Sequence, residues 1–184
     1  MTIEKALVYA TAMHQGQIRK GTKIPYIMHP YEVMEILKEN NCTAEVIIAG
    51  VLHDIKEDTN AQPEEIKNLF GENVLKLILA ESEDKTKSWK ERKSSTIQRA
   101  REGSLEAKQI CCADKLSNIR AIERDYKICG EELWKRFGAP DNKKEHLAWY
   151  YNGIKNELIE LAGSKMYEEL CQICERFFEG LRLR

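Results

Sequence analysis

An eight-residue stretch, VLHDIKED at residues 51–58, carries a high density of side chains that could do chemistry. Its apolar start is followed by His53 and by three carboxylates, those of Asp54, Glu57 and Asp58. On a helix, residues four apart share a face, so we expect His53 above Glu57 and Asp54 above Asp58. Carboxylates held together at the edge of a core raise one another's pKa unless a cation lies among them. The stretch therefore predicts a divalent metal ion.

Two ligands make a weak site, so further ligands are expected from distant parts of the sequence. His29, in YIMHP, lies where an irregular loop enters a predicted helix. Asp114, in CCADKLSNIR, lies inside an apolar helical pattern, and Asn118 follows one turn later on the same face. A site of two histidines and two aspartates with open positions suits Mn²⁺ or Fe²⁺ better than a closed zinc site. We predict its ligands to be His29, His53, Asp54 and Asp114.

Other candidate residues have more ordinary explanations. A lone histidine such as His14 is more often a hydrogen-bonded structural residue. Cys171 and Cys174 form a CxxC, but no second pair or nearby histidine accompanies them, and the six cysteines are interpreted as reduced thiols of the core. An adjacent pair such as Asp114 and Lys115 is usually a solvated ion pair. The metal prediction therefore depends on the combination of groups.

The elements that must position these groups are predicted to be helices, because apolar residues recur at three- and four-residue spacing and alternating β-branched runs are scarce. The predicted fold class is all-α, a bundle of about ten helices. The whole chain, 1–184, is predicted to be a single domain, with a motif core at about 14–125 and C-terminal helices over 131–179 that complete the fold. We place the helices near 2–15, 29–40, 43–55, 63–69, 71–82, 88–102, 104–126, 131–136, 141–162 and 165–179.

Composition excludes several classes of partner. Lys and Arg total 29 and Asp and Glu total 30, a net charge of −1, so no global positive field attracts a nucleic-acid polymer. No apolar run approaches the ~20 residues of a membrane span, and the N-terminus lacks the pattern of a secretion signal. The sequence therefore predicts a cytoplasmic protein that binds neither nucleic acid nor membrane and meets an anionic ligand with local basic residues.

The order HP, then HDxxED, then ADKLxNxR resembles the HD-domain superfamily of metal-dependent phosphohydrolases, and within it the hydrolase domain of the Rel/Spo alarmone family. The chain has no room for the synthetase and regulatory domains of the long members, so it resembles a stand-alone small alarmone hydrolase. The resemblance implies Mn²⁺-dependent hydrolysis of the 3′-pyrophosphate of guanosine tetra- or pentaphosphate, a small-molecule nucleotide, to pyrophosphate and GDP or GTP. It extends over residues 19–30, 49–59, 70–74, 84–93 and 113–120.

The same resemblance implies a role for each site residue. The four predicted ligands hold one Mn²⁺ ion per chain. Glu57 and Asp58 match the acidic pair that positions and deprotonates the attacking water. Arg19 and Lys20 match the basic pair that flanks the base and the phosphates of the nucleotide. Asn118 matches the asparagine that contacts the nucleoside.

Further substrate contacts are expected from the second basic stretch, DKTKSWKERK at 84–93. Lys85 and Arg92 are predicted to bind the remaining phosphates, since charged donors form the stronger hydrogen bonds to phosphate oxygens. The aromatic residues of KKEHLAWYYNGI are expected to be mostly core. One of them could stack on a base, and whether His146 or Trp149 does so stays open.

Two alternatives also stay open. The same metal site could act on another nucleotide, as an NADPH 2′-phosphatase or an adenosine alarmone hydrolase, because nothing in the sequence separates guanine from adenine. The chain could instead be a non-catalytic nucleotide-binding HD domain. A missing ligand or a missing acidic residue would favour that reading, and all of them are present. The preference between tetra- and pentaphosphate, the metal in the cell and the oligomeric state are not determined by the sequence.

Overall fold

A computed structural model describes residues 2–81, 86–137 and 141–178. Within these ranges the protein is built from helices without a strand, apart from one antiparallel bridge between Ile18 and Pro25. The predicted all-α fold class is therefore confirmed. The α-helices are α1 (Ile3–Met13), α2 (Met28–Glu39), α3 (Ala44–Leu52), α4 (Ile55–Asp58), α5 (Pro63–Phe70), α6 (Glu72–Glu81), α7 (Trp89–Glu102), α8 (Leu105–Cys129), α9 (Lys143–Glu157) and α10 (Lys165–Phe178), with 3-10 segments at Gly130–Arg136 and Ile159–Leu161.

Local sequence explains where several of the helices begin. Thr2, Thr43, Ser88 and Ser104 precede α1, α3, α7 and α8, and each side-chain oxygen accepts a hydrogen bond from the backbone N–H three residues later. Ser88 also forms a reciprocal capping box with Glu91. A cap of this kind satisfies a backbone donor that the helix leaves unpaired, and typically stabilises the helix by about 1 kcal/mol. The caps therefore define the starts of α8, which carries Asp114 and Asn118, and of α3, which is followed directly by His53.

The core lies around α8, which packs against α2, α3, α6 and α10. Leu37 from α2, Ile48 and Leu52 from α3, and Ile110 and Ile119 from α8 are fully buried at these contacts. Burying each such side chain contributes roughly 1.5–3 kcal/mol relative to exposing it. Because α2, α3 and α8 share one core, the residues that these helices carry are held in fixed relative positions. Among the described residues no helix is sufficiently long and apolar to span a membrane.

Gly50 permits a close approach of α2 and α3. A Cβ at this position would lie 2.3 Å from Cδ1 of Leu37 and 3.3 Å from Cγ1 of Val33. Both of those side chains are completely buried, so they have little freedom to move aside. The absence of a side chain at Gly50 is therefore required for the contact between the two helices.

The structure differs from the sequence prediction at the end of α3. One helix was expected over 43–55, but α3 ends at Leu52 and α4 is a single turn, so that prediction is wrong. Asp54 adopts φ −90° and ψ −5°, and its carbonyl accepts hydrogen bonds from the N–H groups of Glu57 and Asp58, at 3.1 and 3.0 Å. A new turn thus begins at Asp54. The expected stacking of residues four apart on one continuous helix does not apply across this break.

Smaller differences lie in the C-terminal third. The helix predicted over 131–136 is a 3-10 segment, and the helix predicted over 141–162 ends at Glu157 and is followed by a short 3-10 turn. α8 continues to Cys129, beyond the predicted end at 126, and stops at Gly130, whose φ of +54° is easily adopted only by glycine. The division of the single domain into a motif core and completing helices stays a prediction.

Candidate metal centre and adjoining cavity

Three of the four predicted metal ligands, His29, His53 and Asp114, have ligand atoms within 4.8 Å of one another, and Asp54 lies beside the two histidines. Nε2 of His29 and Nε2 of His53 lie 3.3 Å apart. Oδ1 of Asp114 is 3.1 Å from the first nitrogen and 3.6 Å from the second. Oδ2 of Asp54 is 3.6 Å from Nε2 of His29 and 2.9 Å from Nε2 of His53. Ligand atoms about 2.1 Å from a metal ion lie about 3.0–3.4 Å from their neighbours in tetrahedral or octahedral geometry, so His29, His53 and Asp114 fit one ion. Asp54 lies close to the two histidines but does not belong to this mutually close group.

Each imidazole is oriented by a hydrogen bond to its other nitrogen. Nδ1 of His53 lies 2.8 Å from the carbonyl oxygen of Gly50, so this nitrogen carries the proton that is donated. Nδ1 of His29 lies 2.9 Å from Oγ of Ser117, which donates its own proton to Glu32 at 2.9 Å and so accepts from the imidazole. These partners, which assign the tautomers, turn both Nε2 lone pairs toward the aspartates. A cluster of converging acceptors is what a metal cation binds.

The electrostatics of the cluster favour positive charge. Burial alone would lower the pKa of His53, but the carboxylates of Asp54 and Asp114 outweigh burial and hold the pKa well above its ordinary value. Burial alone would raise the pKa of Asp54, but His53 and then His29 outweigh it, so the pKa lies below its ordinary value. The pKa of Asp114 is also lowered against the effect of burial, by Lys115 and both histidines. A proton and a metal ion therefore compete for the same centre.

Two residues that the sequence reasoning missed bind the aspartates. The hydroxyl of Tyr26 donates a hydrogen bond to Oδ2 of Asp54, and Nζ of Lys115 forms an ion pair with Oδ2 of Asp114. The side chain of Lys115 is only 12% exposed, so the interpretation of this Asp-Lys pair as solvated is wrong. Asn118 donates to Oδ1 of Asp114 at 2.5 Å, on the shared helix face that the spacing predicts. The proximity of Tyr26 to a histidine in PYIMHP was the available signal.

A cavity of about 200 Å³, hereafter the small cavity, opens onto the ligands. Glu57 lines it, together with Glu81, Lys93 and Thr96. Asp58 is exposed and is not among the lining residues. Its carboxylate lies close enough to Tyr26 to contribute to the raised pKa of that phenol, after burial and Asp54. The structure therefore separates the two members of the predicted acidic pair.

A second cavity of about 410 Å³, hereafter the large cavity, adjoins the small one. Arg19, Lys93, Lys115 and Asn118 line both, so the two cavities are immediate neighbours, and together they are called the cleft below. Nη2 of Arg19 donates to Oδ1 of Asn118 at 2.9 Å, which places the predicted base-flanking arginine beside the predicted nucleoside contact. The predicted substrate residues Lys20 and Arg92 line the large cavity, whereas Lys85 lies outside the described residues.

Aromatic side chains form part of the wall of the large cavity. Trp89, Phe137, Tyr150 and Tyr151 line it, whereas neither His146 nor Trp149 does. The rings of His146 and Trp89 instead meet edge to face, with their centroids 5.6 Å apart. Lys90 places Nζ 3.4 Å from the ring centroid of Trp149. Of the aromatic residues on α9, the two tyrosines therefore line this cavity, and which residue contacts a base stays open.

His14 and the cysteines, which the sequence analysis interpreted as structural, form no additional metal cluster within the described part of the chain. Nδ1 of His14 lies 2.8 Å from Oε1 of Gln17, and its ring packs on Tyr26 with the centroids 4.9 Å apart. All six cysteines, including Cys171 and Cys174, are free thiols. His14 thus supports the wall of the site from behind without reaching the ligands.

Comparison with known proteins identifies the class to which this fold and site belong. A family model described as an HD domain matches residues 6–137, more than half of the sequence. The chain belongs to the HD-domain family. Such a domain implies a divalent metal ion, for which His29, His53 and Asp114 provide mutually close ligand atoms.

Particular relatives narrow the class. The guanosine-3′,5′-bis(diphosphate) 3′-pyrophosphohydrolase MESH1 of Drosophila melanogaster is 38% identical over 122 residues, covering 65% of this chain and 68% of its own. MESH1 of Xenopus tropicalis is 35% identical over 156 residues, 83% of either chain. A solved structure of a metazoan orthologue of SpoT that hydrolyses ppGpp matches with a TM-score of 0.79 and 28% identity, over 97% of this chain and 96% of that one. The resemblance to Rel/Spo-type hydrolases is confirmed.

Proposed function

We propose that this protein is a metal-dependent phosphohydrolase that removes the 3′-pyrophosphate of guanosine tetra- or pentaphosphate. The products are pyrophosphate and GDP or GTP. One observation carries the proposal: a buried cluster of histidine and aspartate acceptors opens onto a basic, partly aromatic cleft. The named activity of the MESH1 relatives supports it. The cytoplasmic location predicted from the sequence stays a prediction.

We propose Mn²⁺, one ion per chain, as the metal, because two imidazoles and two carboxylates with open positions suit it. When bound, such an ion neutralises phosphate charge and makes a water molecule more acidic. The ligands His29, His53, Asp54 and Asp114 would hold it. Their partners Ser117 and Gly50 keep both imidazoles oriented.

Glu57 is the proposed general base, because its carboxylate lines the small cavity beside the ligands. Water oxygen bonds to the phosphorus attached to O3′, the P–O3′ bond breaks, and Glu57 carries the proton from the water to O3′. Asp58 is proposed as a supporting residue that acts through Tyr26, whose phenol binds Asp54. This assignment gives the predicted acidic pair two unequal roles.

The basic residues of the cleft are proposed to bind the phosphates. Arg19 and Lys115 line both cavities, whereas Lys20 and Arg92 lie along the large one. Guanidinium and ammonium groups form short, strong hydrogen bonds with phosphate oxygens. Lys85 keeps its predicted role as a further phosphate contact.

The test is an assay of the purified protein with Mn²⁺ against guanosine tetraphosphate, its adenosine counterpart and NADPH. We expect pyrophosphate and GDP from the first substrate. Phosphate release from NADPH without pyrophosphate from either alarmone would assign the site to 2′-phosphate removal instead. Nucleotide binding without turnover of any substrate would make the chain a binding domain.

A variant tests the proposed base. Glu57→Gln should lower kcat by roughly 10²–10⁴-fold, the usual contribution of a positioned acid or base, with the metal content of the protein unchanged. Glu35→Gln is a matched control, since that carboxylate lies exposed on α2 in a surface pair with Lys38. Asp58→Asn should have a smaller effect than Glu57→Gln. Equal losses in the two single variants would contradict the unequal roles.

A further inference from the structure

The large cavity contains a carboxylate where phosphate binding calls for none. Asp125 is the one acidic residue among the described residues that line this cavity. The other charged residues of the wall are all basic: Arg19, Lys20, Lys93, Lys115, Arg92 and Arg136. Basic groups suit phosphates, but a carboxylate repels them. A carboxylate at this place suits a part of a ligand that donates hydrogen bonds.

The position of Asp125 along α8 indicates which part of a nucleotide would lie beside its carboxylate. Asp114, Asn118, Ala121 and Asp125 follow one another at spacings of four, three and four, which keeps them on one face of the helix. Asp114 lines only the small cavity, Asn118 lines both, and Ala121 and Asp125 line only the large one. At 1.5 Å per residue, the first and last of these lie roughly 16 Å apart along the axis. A nucleotide with its 3′-phosphates at the metal centre would direct its base toward Asp125.

Asp125 is held in a fixed orientation by two arginines. Nη1 of Arg136 lies 2.7 Å from Oδ2, and Nε of Arg124 lies 3.2 Å from Oδ1. Arg136 in turn packs against Gly21, where a Cβ would lie 2.5 Å from its Cδ and Nε atoms and where φ is +72°. The side chain of Asp125 is 14% exposed. An ionised carboxylate offers about four acceptor positions, so acceptor capacity remains beyond these two contacts.

The surroundings of Asp125 suit a planar base. Ile122, Leu133 and Phe137 line the same cavity, and apolar or aromatic side chains of this kind stack on base faces. Guanine carries two adjacent donors on its Watson–Crick edge, N1–H and the N2 amino group, and a carboxylate can accept from both. Adenine carries one amino donor beside a lone pair at N1, which the carboxylate repels.

We infer that Asp125, oriented by Arg136, is the residue that selects guanine over adenine in this cleft. The inference rests on the proposed function and deepens it, since it assigns the base of the substrate to one side chain. It predicts that specificity depends on individual hydrogen-bonding atoms of the base. A site that accepts hydrogen bonds from the base favours that base over an analogue that lacks the donor, because the analogue forms fewer hydrogen bonds in the same place.

The first experiment uses the unaltered protein and changes only the base. Initial rates of pyrophosphate release are measured for the 3′,5′-bis(diphosphates) of guanosine, inosine, adenosine and xanthosine. We expect kcat/KM to be largest for guanosine, roughly 10-fold lower for inosine, which lacks the N2 amino group, and lower again for adenosine. Equal values for guanosine and adenosine would overturn the inference, and this result requires no variant to fold.

The second experiment replaces a hydrogen-bond acceptor at residue 125 by a donor and tests the variant with a base whose donors and acceptors match it. Asp125→Asn keeps the shape of the side chain but replaces one acceptor by a donor, which suits N1–H and the C2 carbonyl of xanthine. We expect kcat/KM for the guanosine substrate to fall roughly 10- to 100-fold and that for the xanthosine substrate to rise. Glu132→Gln, which makes the same change in an exposed pair with Lys135, should leave the ratio of the two values unaltered.

The possible results distinguish a failure of the inference about Asp125 from a failure of the proposed hydrolase function. A parallel fall for all four substrates in Asp125→Asn would mean that Asp125 has only a structural role, and would overturn the inference alone. No pyrophosphate from any of the four with the unaltered protein would overturn the proposed function, and this inference with it. A reversal of the guanosine-to-xanthosine preference in the variant supports both.

Discussion

The small cavity and the large cavity hold their polar groups in different ways. In the small cavity, both histidines have a second partner on a helix, Ser117 for His29 and the Gly50 carbonyl for His53, and Asp54 accepts a hydrogen bond from Tyr26, which lies in the turn just before α2. The large cavity is bounded partly by irregular segments, the loop around Arg19 and the 3-10 segment that ends at Arg136. The proposed metal ligands therefore lie near the meeting of α2, α3 and α8, and the proposed recognition surface lies where less regular chain meets α8.

The largest effect should follow from removing a ligand at the small cavity. We expect His53→Ala to bind no stoichiometric Mn²⁺ and to lose at least about 10³-fold in kcat/KM, because the metal supplies several kcal/mol of charge stabilisation. Metal content per chain and pyrophosphate release measure the two losses together. His146→Ala is the control, since its side chain lines neither cavity. Full metal content with full activity in His53→Ala would contradict the placement of the metal site at the small cavity.

A smaller loss of metal affinity is expected from removing Ser117, the hydrogen-bond partner of the predicted ligand His29. Ser117 is completely buried and links Nδ1 of His29 to Glu32, so Ser117→Ala should weaken Mn²⁺ binding by about 10- to 100-fold. At saturating Mn²⁺, kcat should return close to that of the unaltered protein, because the ligands themselves remain. Titration with Mn²⁺, followed by activity and by calorimetry, distinguishes these effects. Ser94→Ala, at an exposed position on α7, should change neither, and an unchanged Mn²⁺ affinity in Ser117→Ala would contradict the prediction.

The smallest effect concerns stability and pH. Burial raises the pKa of Glu81, in the wall of the small cavity, to about 7, although Lys115 opposes the shift. A carboxyl group whose pKa is higher in the folded state costs stability as it ionises, so the cost is absent below the unfolded pKa, grows as pH rises toward 7 and is complete above it. In metal-free protein, Glu81→Gln should therefore raise the free energy of unfolding at pH 8.5 by about 1–2 kcal/mol, and by much less at pH 5.

Thermal unfolding at the two pH values measures this difference. About 1 kcal/mol corresponds to a change in Tm of roughly 2–4 °C for a chain of this size. Glu72→Gln, whose carboxylate lies in an exposed pair with Lys67, should show no such gain at high pH. A gain for Glu81→Gln that is equal at pH 5 and pH 8.5 would mean that ionisation is not its cause.

Residue types and spacing led from the sequence to the small cavity more directly than to the large one. Histidines are few, and His29, His53, Asp54 and Asp114 stand out as polar groups within apolar patterns, so their convergence in the structure could be anticipated. The break between α3 and α4 could not, because the apolar pattern of the sequence continues through residue 55 without a turn signal. Local propensity is a weak guide to where such a break falls.

The large cavity was anticipated only in part. Arg19, Lys20 and Asn118 were expected at the substrate from the resemblance and Arg92 from the second basic stretch, and all four line this cavity. Asp125 was not, because in sequence an aspartate beside Arg124 near a helix end looks like one more solvated charge. Only the tertiary placement of the 3-10 segment brings Arg136 to this carboxylate. Lys115 was likewise interpreted as a solvated charge, because the sequence alone does not show that its side chain is mostly buried.

Helix α8 carries Asp114 and Asp125 on one continuous face, and this limits the ways in which the protein can change. A helix turns about 100° with each residue, so a single inserted residue between Asn118 and Asp125 would rotate the carboxylate out of the cleft. A substitution at Asp125 leaves the other site residues of the helix in place. Variation in base preference among related proteins should therefore arise by replacement of side chains, with the length of this helical segment held constant.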